Sequence, residues 1–120
     1  MALVLLDTNV LILHIGGFEK IVLPPLAAAV STITVFELIR YPGLSSQEVS
    51  AIQSILDECI HISVGTAIAQ RAASLSKTRP KMKSLDLFIA ATALELSCPL
   101  ITHNVKDFKG IKNLVIRSKI

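Results

Sequence analysis

Aromatic residues are scarce in this chain. It has no tryptophan, one tyrosine and four phenylalanines, 4% of 120 residues, against 52% hydrophobic residues overall. The core must therefore be built mostly from Leu, Ile, Val and Ala. So large an aliphatic share in a small domain predicts apolar surface that meets another chain, either as a homodimer or with a tight partner. Cysteine is sparse as well. Cys59 and Cys98 stand alone, without the spacing of a metal site, and read as buried thiols in a reducing cytoplasm. His14, His61 and His103 are scattered, so nothing argues for zinc. No apolar run reaches the ~18 residues of a membrane span. No basic region precedes the first apolar run, and Asp7, Thr8 and Asn9 interrupt it, so no signal peptide is expected. Repeats, low-complexity tracts and linkers are missing too. The chain reads as one compact domain over residues 1–120, long enough for a core without disulfide or metal staples.

The charge that is present is unevenly placed. The net charge is only +3. Residues 1–70 nevertheless hold two basic residues, Lys20 and Arg40, against six acids, a balance of −4. Residues 71–120 hold ten basic residues against Asp86, Glu95 and Asp107, a balance of +7. The second half can build a basic face for a polyanion, or simply a solvated surface.

Short apolar runs alternate with longer helical patterns. Strands are expected at Leu3–Leu6, Ser31–Ile33, His61–Val64, Pro99–Thr102 and Asn113–Arg117. Helices are expected near 8–15, 18–29, 34–40, 46–58, 66–77, 85–97 and 104–108, the second interrupted by Pro24 and Pro25. This alternation predicts an α/β fold, a parallel sheet with helices on both faces. Runs such as LVLL and PLIT lack polar alternation, as strands buried on both faces should. Open parallel sheets bind ligands at the carboxyl ends of their strands.

Four acidic positions fall toward that edge. Asp7 follows the first strand. Glu37 lies in TVFE after the second. Asp86 opens the helix that precedes the fourth strand. Asp107 ends NVKD after the fourth strand. The return from helix 66–77 is feasible, since the seven residues Thr78–Ser84 reach at most about 25 Å, against ~17–20 Å for a typical strand. Each acid also has a purely structural reading. Asp7 can cap the next helix, Thr34 and Glu37 fit a capping box, Asp86 follows a Ser84 cap, and Asp107 follows an Asn104 cap. Together they read differently, because converging carboxylates repel one another and require a cation. An all-oxygen set suits Mg²⁺ or Mn²⁺. Such a site can hydrolyse a phosphodiester without a Ser or Cys nucleophile. The acid-free stretch KTRPKMK, with Lys77, Arg79, Lys81 and Lys83, runs into Asp86 and can hold a nucleic-acid backbone, or be a solvated loop.

LVLLDTNVLI, STITVFELI, SLDLFIAATALEL and LITHNVKDF, in this order, resemble the PIN domain, most closely its VapC-type toxin ribonucleases. The resemblance covers nearly the whole chain. It implies a three-layer α/β/α sandwich around a five-stranded parallel sheet, and a Mg²⁺- or Mn²⁺-dependent endoribonuclease of the cytoplasm. It also implies a small antitoxin partner and frequent homodimers. The family's first three acids map to Asp7, Glu37 and Asp86. The fourth position is Asn104 by alignment of the Thr-x pair, with Asp107 three residues on in the D-F pair. Thr8, Asn9 and Thr102 match the polar residues that support the acids.

Other readings are weaker or less complete. A haloacid-dehalogenase-like phosphatase wants an Asp two residues after the first, where Asn9 stands. A receiver domain wants an acid pair that is missing. A non-catalytic PIN-like module binding RNA or a partner would explain the uncharged Asn104. An RNA-processing nuclease with no antitoxin would look the same in this chain.

Overall fold

The computed structural model describes residues 2–17 and 20–120. In chain order the elements are β1 (Val4–Leu6), α1 (Thr8–Ile15), β2 (Ala28–Ser31), α2 (Thr32–Ile39), α3 (Ser46–Asp57), β3 (Ile60–Ile62), α4 (Thr66–Thr78), α5 (Ser84–Leu96), β4 (Leu100–Ile101), α6 (Val105–Phe108) and β5 (Ile116–Arg117). All pairings are parallel, in the order β3-β2-β1-β4-β5. The chain winds outward from β1 to one edge, then returns to β4 on its other side. The gap between β1 and β4 is therefore the topological switch point, where such sheets form their ligand crevice.

Alternation along the strands sorts the core into two layers. Val4, Leu6, Ala28, Val30 and Ile101 pack with Val10 and Leu11 of α1, Leu38 of α2, and Ile52, Ile55 and Leu56 of α3. Leu5, Ala29 and Leu100 face the other way, onto Ile89, Ala90 and Ala93 of α5 and Phe108 of α6. Helix α4 covers α5 through Ile68 and Ala72 against Leu87 and Ala91. The result is the three-layer α/β/α sandwich with a five-stranded parallel sheet. Among the described residues no helix is long and apolar enough to cross a membrane. Phe36, Ile39 and Tyr41, in and just after α2, are exposed apolar side chains on the first of these layers.

The expected helix over 18–29 is the main correction. Residues 18 and 19 lie outside the described residues, 20–24 form no regular element, and 28–31 are strand β2. Alanine taken alone favours helix. In the sheet, however, Ala28, Ala29 and Val30 are fully buried between two helical layers, and small side chains suit that position. Tertiary packing outweighs local propensity here. The strand expected at Ser31–Ile33 thus ends where it was meant to begin. The other strands are shorter than expected, and β5 starts at Ile116 rather than Asn113. Two caps move as well. Ser31, not Thr34, caps α2 by accepting from Ile33 N. Lys83, not Ser84, stands at the N-cap of α5. Of the two thiols, Cys98 is buried but Cys59 only half-buried.

Ala29→Leu tests the strand assignment. In a helix this change would be mild. At a fully buried sheet position it should cost about 1–3 kcal/mol by overpacking, read as a lower denaturant midpoint with an unchanged slope.

Candidate active site

Strand β1 is a continuous buried run, and the chain turns into α1 immediately after it. Asp7 therefore sits at the strand's carboxyl end as the N-cap of α1 and is only 5% exposed. Three donors hold its carboxylate. Oδ1 accepts from the Thr8 backbone N–H at 2.9 Å. Oδ2 accepts from the Thr102 hydroxyl at 2.8 Å and from the Asn9 amide at 3.0 Å. Thr102 follows β4, so its bond closes the switch point. Asn9 adds a second tie, because its Oδ1 accepts from His103 N–H at 3.2 Å. The Thr102 oxygen also accepts from Asn104 N–H at 3.0 Å. Capping and site formation are thus not alternatives for Asp7; one side chain does both.

Glu37 arrives from one turn beyond Thr34 on α2. The Thr8 hydroxyl donates to Glu37 Oε1 at 2.7 Å and shares a 3.0 Å hydrogen bond with the Thr34 hydroxyl. Thr34 is fully buried and belongs to this network rather than to a capping box. Its role was not read from the sequence; the available signal was its position three residues before Glu37, on the same helix face. Asp86 lies in the first turn of α5, half-buried. Asp107 is in the first turn of α6.

The carboxylates sense one another. Burial pushes Asp86 up to about 6, helped by the negative charges of Asp7, Asp107 and Glu37, with Lys83 opposing. Burial likewise raises Asp7 above its ordinary value, against the three hydrogen bonds and with Glu37 adding to the rise. Asp7, Glu37 and Asp107 thus lie near enough for their charges to act on Asp86. Asp107 lines a cleft of about 540 Å³ together with Asp86, Arg79, Lys81, Lys83 and Lys106. Asn104 is exposed at the N-cap of α6 and makes no side-chain capping bond. Among the described residues no three Asp, Glu, His or Cys side chains close into a metal-binding group by themselves. The donor set nonetheless fits Mg²⁺ or Mn²⁺, because Mg²⁺ keeps several waters and usually takes only one or two protein carboxylates.

The basic stretch divides. Lys81 and Lys83 are exposed on the cleft. Lys77 is exposed in the last turn of α4, away from the cleft lining. Arg79 turns inward: its Nη2 lies 3.4 Å from the Asp107 carbonyl oxygen and its Nε is buried. Lys106, not singled out from the sequence, lines the cleft from α6.

A raised carboxyl pKa opposes folding once the group ionises. For Asp86 this penalty is absent below the ordinary value of 3.8 and fully present above about 6. Asp86→Asn should therefore raise the melting temperature of the chelator-treated protein at pH 7.5, and the gap should close as pH falls to about 4. Half-exposure keeps the effect small. Melting curves against pH check it.

Known proteins share this fold. The family model for the PIN domain matches residues 4–114. The chain is 32% identical over 124 residues to Ribonuclease VapC1 of Haemophilus influenzae strain R2866, covering 92% of both chains. Among solved structures, VapBC-1 from nontypeable Haemophilus influenzae superposes with a TM-score of 0.80 at 30% identity, covering 96% of each chain. A toxin–antitoxin complex from Klebsiella pneumoniae gives a TM-score of 0.75 at 33% identity, covering 93% of this chain and 95% of that one. With a family match spanning nearly all of the sheet and its crossovers, this chain belongs to the PIN-domain family.

Proposed function

We propose that the chain is a metal-dependent endoribonuclease, the toxin of a type II toxin–antitoxin pair, with residues 1–120 acting as one nuclease domain. The observation that carries the reading is the convergence of Asp7, Glu37, Asp86 and Asp107 at the β1–β4 switch point, bordered by lysines. The similarity to Ribonuclease VapC1 and to VapBC complexes supports RNA as substrate and an antitoxin as partner. Asp7, Asp86 and Glu37 are the residues that would hold Mg²⁺ or Mn²⁺, which supplies an activated water and stabilises charge on phosphate oxygens. The chain's own groups do the placing. Thr102 and Asn9 fix Asp7 Oδ2, the Thr8 N–H fixes Oδ1, and the Thr8 hydroxyl fixes Glu37. Asp107 supplies the fourth charge, across the cleft from the loop that carries Lys81 and Lys83. Those two lysines offset the phosphate charge beside the acids. The apolar surface at Phe36, Ile39 and Tyr41 suits protein contact, with the antitoxin or in a homodimer. A cytoplasmic location follows from this reading.

A second reading has one observation in its favour. With no closed three-ligand group among the described residues, and with Asn104 uncharged, a PIN-like module that binds RNA without cutting fits the same geometry. A nuclease of RNA processing is the third possibility, and a neighbouring antitoxin gene separates it from a toxin.

Incubation of a folded RNA pool with Mg²⁺, Mn²⁺ or EDTA tests the proposal. Wild type should cut with either ion and not in EDTA, and Asp86→Asn should not cut. Thr102→Val should lose about 10–100-fold, the usual effect of removing a hydrogen bond that orients a metal ligand. RNA bound equally with and without metal, and never cut, would favour the binding module.

A further inference from the structure

The acids are faced by basic groups from two directions. One wall of the cleft is the α4–α5 connection, with Lys81 and Lys83. The other is α6, with Lys106. All three lysines are exposed and line the 540 Å³ cleft together with Asp86 and Asp107. Arg79 spans between the walls, its Nη2 3.4 Å from the carbonyl oxygen of Asp107. Yet none of these three lysines forms an ion pair with Asp86 or Asp107. Among the described residues the one ion pair is Arg71–Glu95 at 3.0 Å, outside this cleft. The lysines thus leave a gap in which a ligand's negative charge would be flanked by ammonium groups on both sides.

We infer that Lys106, facing Lys81 and Lys83, forms a two-walled clamp for a backbone phosphate of single-stranded RNA, next to the phosphate that is cut. The inference rests on the RNA reading above and adds to it the second wall. A flexible single strand can follow a positively charged groove of this kind with its backbone. An acidic peptide would satisfy the lysines alone. A phosphodiester strand carries a charge at every residue, so one phosphate in the clamp directs its neighbour toward the carboxylates. A clamp of this kind reads no bases; it sets register and adds salt-dependent affinity.

Binding of a short labelled RNA single strand of mixed sequence, followed by fluorescence anisotropy in EDTA, tests the clamp without requiring cleavage. Lys106→Ala should weaken Kd by about 5–10-fold and flatten the slope of log Kd against log salt by about 0.7, the value for one phosphate contact on a single strand. Lys106→Arg should keep the slope. Lys112→Ala and Lys119→Ala remove exposed lysines of the same basic half that do not line the cleft. They should change Kd by less than about twofold, because screening weakens distant surface charges. Equal weakening by all three alanine variants would overturn the clamp in favour of a diffuse basic face. An unchanged Kd in Lys106→Ala would overturn it outright. Displacement of the RNA by a Glu-rich peptide that itself depends on Lys106 would reassign the cleft to an acidic protein segment. Lys106-dependent binding by a protein that cuts no RNA with Mn²⁺ would support the clamp while removing the nuclease reading.

Discussion

A carboxylate at the end of a fully buried strand has to be held by donors, since burial without them costs several kcal/mol or neutralises the group. Asp7 meets this requirement with the Thr8 N–H, the Asn9 amide and the Thr102 hydroxyl. Two of those bonds do more than satisfy Asp7. The Thr102 bond links β1 to β4 across the switch point, and Asn9 reaches on to the His103 backbone. The neighbouring residue, Thr8, orients Glu37 from a different crossover. Asp7 and Thr8 together thus tie three chain segments that are far apart in sequence.

Holding Asp7 in place leaves an electrostatic debt. Asp86 feels burial and three like charges, which raise it to about 6. A hydrophobic sheet edge gains nothing from this concentration of charge, and in the function proposed above a cation would offset it. The basic residues answer the acids without pairing with them, which keeps the cleft electrostatically unsatisfied at its centre. The same separation explains the lopsided charge along the chain: −4 over residues 1–70 and +7 over 71–120. In space, acids from both halves gather at one edge, and lysines of the second half border them.

Much of this was legible in linear order. LVLLD announces a buried strand that ends in an acid, and α1 occupies the residues its periodicity indicated. Helices α3, α4 and α5 fall within one or two residues of expectation. The segment AAAVS was misread because alanine favours helix in isolation, while its place here is between two helical layers. That error displaced the following cap by three residues and concealed Thr34, whose hydroxyl meets Thr8 from 26 residues away. Arg79 was grouped with its exposed lysine neighbours because a run of cations looks uniform in sequence. Its inward turn depends on α6, which is remote in the chain.

The division follows the range of the forces involved. Strand, turn and helix starts are set by side-chain periodicity and by hydrogen bonds between near neighbours, so the order of elements and the placement of Asp7 and Asp86 at element starts and ends were fixed locally. Which hydroxyl supports which carboxylate, whether Asn104 or Asp107 turns to the cleft, and which cations stand free there depend on packing between segments many residues apart. Only closure of β4 beside β1 and of α6 beside α5 brings those groups within hydrogen-bonding or coulombic reach.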